Sequence, residues 1–424
     1  DVNGDGYADI IVGGPFWVSG AQTLGGVWLY YGSDTGPNNA PNWYKVGDQA
    51  DAQYGYAAST AGDVNGDGYS DVIIGAPHWK DDATNEGRVW LYLGSKGGLR
   101  YDSPWHAEGN NFNAQMGFSV GTAGDVNGDG YADVIVGAPY FGDGGLTNEG
   151  KVWTFLGSSI GLDPIADWSR EGGHNGDLYG YSVGTAGDVN GDGYADVIIG
   201  APLQTGSLSD EGTARIYLGS AVGLRTSFDW FGEGGQTLSW YGQSVGTAGD
   251  VDGDGYADVI VGAPQWQTDI DHVNEGRSLV YFGNDGPGVS LRPRQQHVDG
   301  QPLALLGVSD DVHQFRVSLR AGTPFGRGRV LLEAEVKPLG MPFDGLNTNF
   351  WGGSLDAVPN SDKYIIPHSL LFGTPHHWRT RWRFDQITTP WMPASRWVTM
   401  PWNGWNEQDF RTYGEELFLP LIMR

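Results

Sequence analysis

The chain has 424 residues, no cysteine, and a formal net charge of −27 at pH 7. The lack of cysteine excludes disulfides, thiolate metal sites and a cysteine nucleophile. The acidic balance excludes a nucleic-acid binder, because phosphate binding needs a basic face. No run of residues approaches the ~18 apolar positions of a membrane span, so the sequence predicts none.

The charge is unevenly distributed along the chain. Residues 1–290 contain 10 basic and 38 acidic residues, a net charge of −28, whereas residues 291–424 contain 14 and 13, a net charge of +1. A step this sharp predicts a domain boundary near residue 290. We therefore expect one domain over 1–289, a linker over 290–300, a second domain over 301–390 and a terminal segment over 391–424. The start at Asp1 opens no signal peptide, so we expect a mature or trimmed chain.

One stretch of sequence, DVNGDGYSDVIIGAP at residues 63–77, recurs five times in close variants. The five copies open at Asp1, Asp63, Asp125, Asp188 and Asp250, at intervals of 62, 62, 63 and 62 residues. A fixed period of this size indicates a repeat architecture. We number the repeats as units 1 to 5.

A complete unit contains four short segments with alternating apolar residues. In unit 2 they are the run before the acidic stretch (residues 54–62), the run after it (71–77), GRVWLYLG (87–94), and a segment around Trp105. Four short strands per repeat, joined by glycine-rich turns, predict an all-β fold built from the blades of a β-propeller. Unit 1 begins at the acidic stretch, so we expect its blade to lack a first strand and to present an open edge that another strand can fill.

The acidic stretch itself predicts a metal site. In unit 2 it places Asp, Asn, Asp and Asp at positions 1, 3, 5 and 9 of a loop, with glycine at position 6. Oxygen ligands around a sharp glycine turn suit calcium, which prefers six to eight oxygens. EF-hand and dockerin loops require an acid at position 12, where this chain has Ile74, Val136 and Ile199. Both of those alternatives therefore fail.

The Tyr-Gly or Met-Gly pair before the loops of units 2 to 5, together with the Gly-Ala-Pro after them, resembles the FG-GAP repeat of integrin α-subunit propellers. The resemblance covers residues 1–289. It implies an extracellular or cell-surface, secreted propeller that binds about five Ca²⁺ ions, one between the first and second strands of each blade. Carried over to this sequence, with each tyrosine contributing its carbonyl oxygen, the implied ligands are Asp1, Asn3, Asp5, Tyr7 and Asp9; Asp63, Asn65, Asp67, Tyr69 and Asp71; Asp125, Asn127, Asp129, Tyr131 and Asp133; Asp188, Asn190, Asp192, Tyr194 and Asp196; and Asp250, Asp252, Asp254, Tyr256 and Asp258.

The C-terminal third lacks the repeat. Alternation over residues 313–321, 328–336 and 376–384 predicts strands, and Gly/Pro-rich turns between them favour a β-sandwich. Residues 372–381, FGTPHHWRTR, resemble a segment of fibronectin type III domains, with His376 where that family has a tyrosine. Residues 391–405 contain four tryptophans, and residues 416–424 form an apolar terminal stretch that could pair with an open edge.

Two further residue sets recur once in each of four units. The tryptophans are expected to pack between blades, and the glutamates are expected to bond backbone at a turn rather than to serve in acid–base catalysis. These residues are Trp43, Trp105, Trp168 and Trp230, and Glu86, Glu149, Glu211 and Glu275.

The sequence favours binding over catalysis, because it contains neither an HExxH metal motif nor a G-x-S-x-G nucleophile motif. We predict a calcium-stabilised adhesion or structural protein that binds a protein partner or itself, as an oligomer or filament formed by strand exchange into the incomplete first blade. Two alternatives stay open: a glycan-binding, lectin-like propeller and a polysaccharide-degrading enzyme.

Overall fold

The computed structural model describes residues 1–5, 7–81, 83–102, 104–190, 194–249, 251, 256–268, 274–283, 294–303, 307–309, 311, 313–320, 330–339, 341, 343–346, 349–350, 362–367, 370–371, 374–384 and 410–411. These residues form strands, turns and loops, with no helix among them. Accordingly, this described part has no helix long and apolar enough to cross a lipid bilayer.

Each repeat unit forms one antiparallel sheet, which we call a blade. Blade 1 contains β1 (Ile10–Gly14), β4 (Gly26–Tyr30) and β5 (Trp43–Val46), with a small hairpin of β2 (Val18–Ser19) and β3 (Gln22–Thr23). Blade 2 contains β6 (Ala57–Gly62), β7 (Asp71–Ala76), β8 (Arg88–Tyr92) and β9 (Trp105–Glu108).

The next two blades repeat this order. Blade 3 contains β10 (Ser119–Gly124), β11 (Asp133–Ala138), β12 (Lys151–Phe155) and β13 (Trp168–Glu171). Blade 4 contains β14 (Ser182–Gly187), β15 (Asp196–Ala201), β16 (Thr213–Tyr217) and β17 (Trp230–Glu233). Blade 5 contains β18 (Ser244–Gly249), β19 (Asp258–Ala263) and β20 (Arg277–Tyr281).

The prediction of four-stranded propeller blades is confirmed. In sequence, β1 corresponds to the second strand of the complete blades, and the described sheet of blade 1 has the order β1, β4 and β5. The first strands of blades 2 to 5 lie next to one another in chain order and surround a cavity of about 460 Å³. Its lining residues are Ser59, Val120, Gly121, Thr122, Val183, Gly184, Thr185, Val245, Gly246, Thr247, Ala248 and Gly249.

The hydrophobic core lies between blades, because the second strand of each blade alternates its side chains between two neighbours. Ile73 of β7 packs with Val134 and Val136 of β11, on the following blade. We call the side of a blade that faces the following unit its forward face, and the opposite side its backward face. The same packing joins Ile11 to Val72 and Ile74, Ile135 to Val197 and Ile199, and Ile198 to Val259 and Val261.

The predicted role of the repeated tryptophans is also confirmed. Each one packs edge-on against an aromatic ring of the following blade, with centroids 4.9–5.2 Å apart. Edge-to-face pairs of this kind stabilise beyond the area they bury. The four pairs are Trp43–Tyr92, Trp105–Phe155, Trp168–Tyr217 and Trp230–Tyr281.

A buried aspartate begins the second strand of each complete blade and fastens the sheet. Asp71 Oδ2 accepts the backbone N–H of Val64 at 2.9 Å, and its Oδ1 accepts that of Gly94 at 2.8 Å. The carboxylate therefore ties the acidic loop to the end of the third strand. Both bonds recur in the other units, at Asp9, Asp133, Asp196 and Asp258.

The C-terminal part forms two sheets. One has the order β21 (Arg294–Gln296), β23 (Arg316–Arg320) and β26 (Asp362–Ile365). The other has the order β22 (Gly307–Val308), β28 (Phe410–Arg411), β27 (Pro375–Phe384), β24 (Val330–Pro338) and β25 (Asn349–Phe350). The three strands expected from alternation are thus present, as β23, β24 and β27.

The two C-terminal sheets pack against each other as a β-sandwich. Trp378 on β27 is fully buried, donates its indole N–H to Gln295 Oε1 at 2.9 Å, and lies against Phe315. Gln295 belongs to β21, inside the stretch 290–300 that we expected to be a linker, so residues 294–296 are part of the sandwich. The resemblance to fibronectin type III stays a prediction, and the tryptophan-rich run 391–405 and the terminal stretch 416–424 lie outside the described residues.

Replacing Trp43 by alanine is expected to lower the free energy of unfolding by about 3–5 kcal/mol, because it opens a cavity between blades 1 and 2. Trp43 is 2% exposed, whereas its neighbour Tyr44 is 57% exposed. Tyr44→Ala is therefore the matched control, with an expected change within about 0.5 kcal/mol. Urea unfolding at fixed calcium concentration measures both. Equal losses in the two variants would show that blade–blade packing is not what Trp43 supplies.

Asp71→Asn is expected to cost about 1–3 kcal/mol of stability even in the presence of a chelator, because an amide nitrogen cannot accept the N–H that the lost oxygen accepted. Asp67→Asn, in the same loop but exposed, keeps an acceptor oxygen and is expected to change stability by less than about 0.5 kcal/mol. Thermal or urea unfolding in excess EDTA checks the contrast. A stable Asp71→Asn protein in EDTA would contradict a structural role for this carboxylate.

Candidate metal centres and an aromatic cluster

The acidic loop of each blade joins its first and second strands, as the sequence predicts. In blade 2, Asp63 directly follows β6 and Asp71 begins β7. After a register shift between Thr60 and Gly62, the pair of Gly62 with Asp71 is the last one before the loop. Gly62 has φ +78°, a conformation that favours glycine, and its N–H donates to Thr60 Oγ1. This bulge turns the chain from β6 into the acidic loop.

The side chains at loop positions 1, 3 and 5 fold inward onto the loop's own backbone. Asp63 accepts the N–H groups of Asp67 and Gly68, at 3.1 and 2.9 Å. Asn65 Oδ1 accepts the Asp67 N–H at 3.0 Å, and Asp67 Oδ1 accepts the Tyr69 N–H at 3.2 Å. The loops of units 1 and 3 repeat the pattern. Side-chain oxygens are therefore gathered within a single tight turn.

The glycine at loop position 4 is explained by the neighbouring unit. Gly66 has φ +70°, and a Cβ built there would lie 2.7 Å from the ring of Tyr131, the position-7 residue of unit 3. Gly4 has the same relation to Tyr69. The tyrosine rings of units 2 and 3 thus cover the loops of the preceding units. Sequence reasoning assigned these tyrosines only a carbonyl role, since the ring contact requires knowing which loop lies next to which.

Consecutive loops are also linked by backbone hydrogen bonds. The N–H groups of Ser70, Ala132, Ala195 and Ala257 donate to the position-1 carbonyls of the preceding loops, at 2.9–3.0 Å. The position-2 carbonyls of Val2, Val64 and Val126 accept N–H groups from Ser95, Ser158 and Ser220 of the following blade. The geometry of one loop is therefore coupled to the next, and an ion that orders one loop would act across a blade junction.

The structure gathers the predicted ligands locally without forming a finished coordination cage. All five predicted ligands of units 1, 2 and 3 are described, as are Asp188, Asn190, Tyr194, Asp196, Tyr256 and Asp258, whereas Asp192, Asp250, Asp252 and Asp254 lie outside the described residues. Over the described ranges, no three or more His, Asp or Glu side chains are grouped as a ready-made metal site. The predicted ligand set as a whole is not tested by this geometry.

The donor chemistry and electrostatics of the loops nevertheless fit a hard divalent cation. Burial, together with nearby loop carboxylates, raises the pKa of Asp71 to about 8 and that of Asp125 to about 6. Yet both oxygens of Asp71 accept N–H groups, which the ionised form does best. A positive ion beside the loop would offset the effect of burial, because it favours the ionised carboxylates that accept these N–H groups. Oxygen donors from Asp and Asn side chains are those that calcium prefers.

The repeated glutamates bond backbone, as predicted. Glu86, Glu149 and Glu211 are at most 2% exposed. Each accepts a backbone N–H within the loop that follows the second strand, from Asp81, Asp143 and Leu208. Glu275 does the same with Thr268, at 3.0 Å. These carboxylates therefore hold loops in place.

A second candidate site, missed by the sequence reasoning, is a cluster of four aromatic rings that we call the aromatic cluster: Tyr56, Phe118, Tyr140 and Tyr181. Phe118 is its centre, with ring centroids 4.9 Å from Tyr56, 5.9 Å from Tyr140 and 4.8 Å from Tyr181. Three of the rings follow the Tyr-Gly or Met-Gly pairs directly, so the signal was visible in the aligned repeats.

The aromatic cluster is partly open to solvent and keeps polar groups at its edge. Tyr56 is 39% exposed, and the other three rings are half-buried. Burial raises the pKa of Tyr56 and of Tyr140, so both hydroxyls remain protonated at physiological pH. The surface therefore combines flat apolar rings with hydroxyl groups, a combination enriched at binding interfaces.

The aromatic cluster and the acidic loops lie at opposite ends of the first strands. Phe118 precedes β10 and Asp125 follows it, and six residues of strand separate the two by roughly 20 Å. The end of the propeller that carries the aromatic rings is therefore distinct from the end that carries the candidate metal loops. An ion in the loops would act on the rings through the rigidity of the blades, without touching a molecule bound there.

Comparison with known proteins agrees with this repeat structure. The FG-GAP repeat model matches residues 1–30, 54–92, 116–155, 179–218 and 241–281. Integrin alpha-V from Gallus gallus is 34% identical over 213 residues, covering 47% of this chain and 19% of that protein. Phosphatidylinositol-glycan-specific phospholipase D from Dictyostelium discoideum is 26% identical over 321 residues, covering 68% of this chain and 32% of that protein. The chain thus spans no more than about a third of the length of either relative.

Among solved structures, a fructofuranosidase from Schwanniomyces occidentalis aligns with 93% of this chain and 86% of its own, at 8% identity and a TM-score of 0.31. A likeness this weak carries no argument about fold or activity. The family match rests instead on the five repeats, each of which coincides with the loop and strands of one blade. Residues 1–281 of this chain therefore carry five FG-GAP repeats, with sequence similarity to integrin α chains.

Proposed function

We propose that this chain is an extracellular or cell-surface protein of adhesion type, which binds a protein partner or another copy of itself and whose blades are stabilised by calcium. The observation that carries the binding role is the aromatic cluster, a half-exposed surface on the end of the propeller opposite the acidic loops. The similarity to integrin alpha-V supports the adhesion class. Binding, rather than catalysis, is the activity we assign.

Calcium is proposed to act as a structural ion in this function. The acidic loops of units 1 to 4 are each hydrogen-bonded to the next blade, so an ion that orders one of these loops stiffens a junction. The chain also carries a net charge of −27, and each bound divalent ion lowers the repulsion within it. We propose about five sites, with the ligands that the FG-GAP resemblance implies.

Calcium is expected to raise the melting temperature relative to EDTA, and magnesium to do so less, because magnesium demands a more rigid octahedral site. A ligand at 100 times its Kd adds about 2.7 kcal/mol of stability per site. Differential scanning calorimetry measures the stabilisation, and isothermal titration calorimetry counts the ions.

The double variant Asp67→Asn/Asp129→Asn is expected to lose two of the bound ions. The control Asp34→Asn/Asp102→Asn removes two exposed carboxylates outside the loops and is expected to keep the full count. An unchanged melting temperature on chelation, with no heat of calcium binding, would refute the structural role of the ion.

Surfaces coated with this protein are expected to hold cultured cells in calcium, and Phe118→Ala is expected to weaken attachment by about tenfold or more, because it removes the centre of the aromatic cluster. Phe112→Ala, an exposed phenylalanine outside the cluster, is the matched control and should leave attachment unchanged. The measurement is the coating density needed for half-maximal attachment, compared at equal amounts of folded protein.

Enzymatic treatment of the cells distinguishes the partner classes in this assay. Loss of attachment after protease treatment supports a protein partner. Loss after glycosidase treatment alone would instead favour the glycan-binding alternative, since sugar rings also stack on aromatic faces. Attachment no better than to an albumin-coated surface would count against the adhesion proposal itself.

A further inference from the structure

The tyrosine at position 7 of an acidic loop connects two successive loops, which we number 1 to 5 by their units. Its carbonyl is a predicted calcium ligand of its own loop. In unit 3, a Cβ built on Gly66 would lie 2.7 Å from Cε1 of Tyr131, so this ring lies directly on the backbone of loop 2. The ring of Tyr69 has the same relation to Gly4 of loop 1. These tyrosines therefore belong to one loop by sequence and cover another.

The peptide group that follows this tyrosine provides a second link. In unit 3 it consists of the Tyr131 carbonyl and the Ala132 N–H, and the N–H donates to the carbonyl of Asp63 in loop 2 at 3.0 Å. Because a trans peptide is planar, its C=O and N–H point in opposite directions. One rigid group thus carries a predicted ligand of one ion and a hydrogen bond to the preceding loop. The same bond joins Ser70 to Asp1, Ala195 to Asp125 and Ala257 to Asp188, at 2.9–3.0 Å.

The aspartate at position 9 is also connected to the preceding loop. Asp133 Oδ1 accepts the N–H of Gly157 at 2.8 Å. The next residue, Ser158, donates its N–H to the carbonyl of Val64 in loop 2 at 3.0 Å. A Cβ on Gly157 would lie 2.8 Å from that carbonyl oxygen and 2.8 Å from the Cβ of Tyr131, so a side chain there would collide with both loops. Glycines fill the equivalent positions in units 2 and 4, at Gly94 and Gly219.

We infer that calcium ions bind successive acidic loops cooperatively, and that the position-7 tyrosine couples each loop to the preceding one. A cation at the tyrosine carbonyl polarises the peptide and strengthens its N–H as a donor to the preceding loop. That bond and the ring hold the preceding backbone in the conformation that gathers its own oxygens. The first ion therefore orders part of the site that the second ion needs, and the second ion binds more tightly.

The charge balance allows this coupling. Each of loops 1 to 4 has three aspartates at positions 1, 5 and 9, so one divalent ion leaves such a loop with a net charge of −1. A loaded loop therefore does not repel the ion of its neighbour as a bare cation would. The inference deepens the calcium part of the proposed function and rests on it.

Calcium titration followed by hydrogen–deuterium exchange measures the loops separately in the full chain, because peptides spanning residues 63–71 and 125–133 do not overlap. The calcium concentration at half-maximal protection gives the apparent affinity of each loop. Asp129→Asn removes an exposed carboxylate of loop 3 and keeps an oxygen that can accept the Tyr131 N–H. It is expected to raise the half-maximal calcium concentration of loop 2 by about fivefold or more.

Reciprocal and control variants use the same substitution at equivalent positions. Asp67→Asn in loop 2 is expected to raise the half-maximal concentration of loop 3 by a similar factor, since coupling between two sites is reciprocal. Asp5→Asn in loop 1 is the matched control: it should shift loop 2, its neighbour, more than loop 3. Unfolding of the blades is excluded by unchanged exchange in the second strands.

Tyr131→Ala tests the coupling residue, because it removes the ring from loop 2 but keeps the backbone carbonyl. In this background the effect of Asp129→Asn on loop 2 is expected to fall from about fivefold to about twofold or less, as a double-mutant cycle measures. The effect of Asp5→Asn on loop 2 should be retained, because Tyr69 is intact.

The possible failures are distinct. Calcium protection of every loop at concentrations that the neighbouring variants leave unchanged would overturn cooperative binding, while calcium would remain a structural ion. Coupling that survives Tyr131→Ala in full would overturn the role of the tyrosine. The absence of calcium-dependent protection from all loops would refute the proposed calcium sites themselves, and the inference with them.

Discussion

The alternation of side chains along the second strand of each blade is the constraint on which the propeller depends. Because successive residues point to opposite faces, a run such as DVIIGA sends one isoleucine forward and two apolar residues backward. A single sheet of this kind buries neither face alone. Each blade therefore completes its core only against its neighbours, and the edge-on tryptophan pairs at the outer strands extend the same packing.

In the acidic loops, polar groups likewise depend on a neighbouring blade for their hydrogen bonds. Asp71 joins its loop to the third strand of its own blade, whereas the carbonyl of Asp63 accepts an N–H from blade 3. The loop therefore belongs to two blades at once. Its carboxylates accept backbone N–H groups but remain close to one another, so their ionised forms favour a nearby cation. This is why we treat the loops as structural centres and look elsewhere for a binding surface.

The two ends of the first strands carry different functional features. One end carries the loops that hold blades together, and the other carries rings that no blade junction fully covers. The strands between them are partly buried and separate the loops from the rings, so changes in the loops can reach the rings only by altering how blades lie beside one another. A partner bound at the rings would depend on calcium indirectly, through the order of the scaffold.

Sequence alone determined the repeat, the four strands of a complete blade and the place of the acidic loop, because these follow from local periodicity and turn chemistry. It also indicated that Trp43 and its equivalents pack between blades and that Glu86 and its equivalents hold turns, since one such residue occurs in each of four units. In the C-terminal part it located three strands by alternation, but the membership of Gln295 in that sandwich depends on its hydrogen bond with Trp378.

Only the tertiary structure decided what depends on which blade lies next to which. The glycine at position 66 is required by a tyrosine ring of the following unit, and Phe118 becomes the centre of a cluster because three units bring their rings together. A sequence shows which residues each unit contains, whereas the burial of a residue depends on the neighbouring blade that covers it.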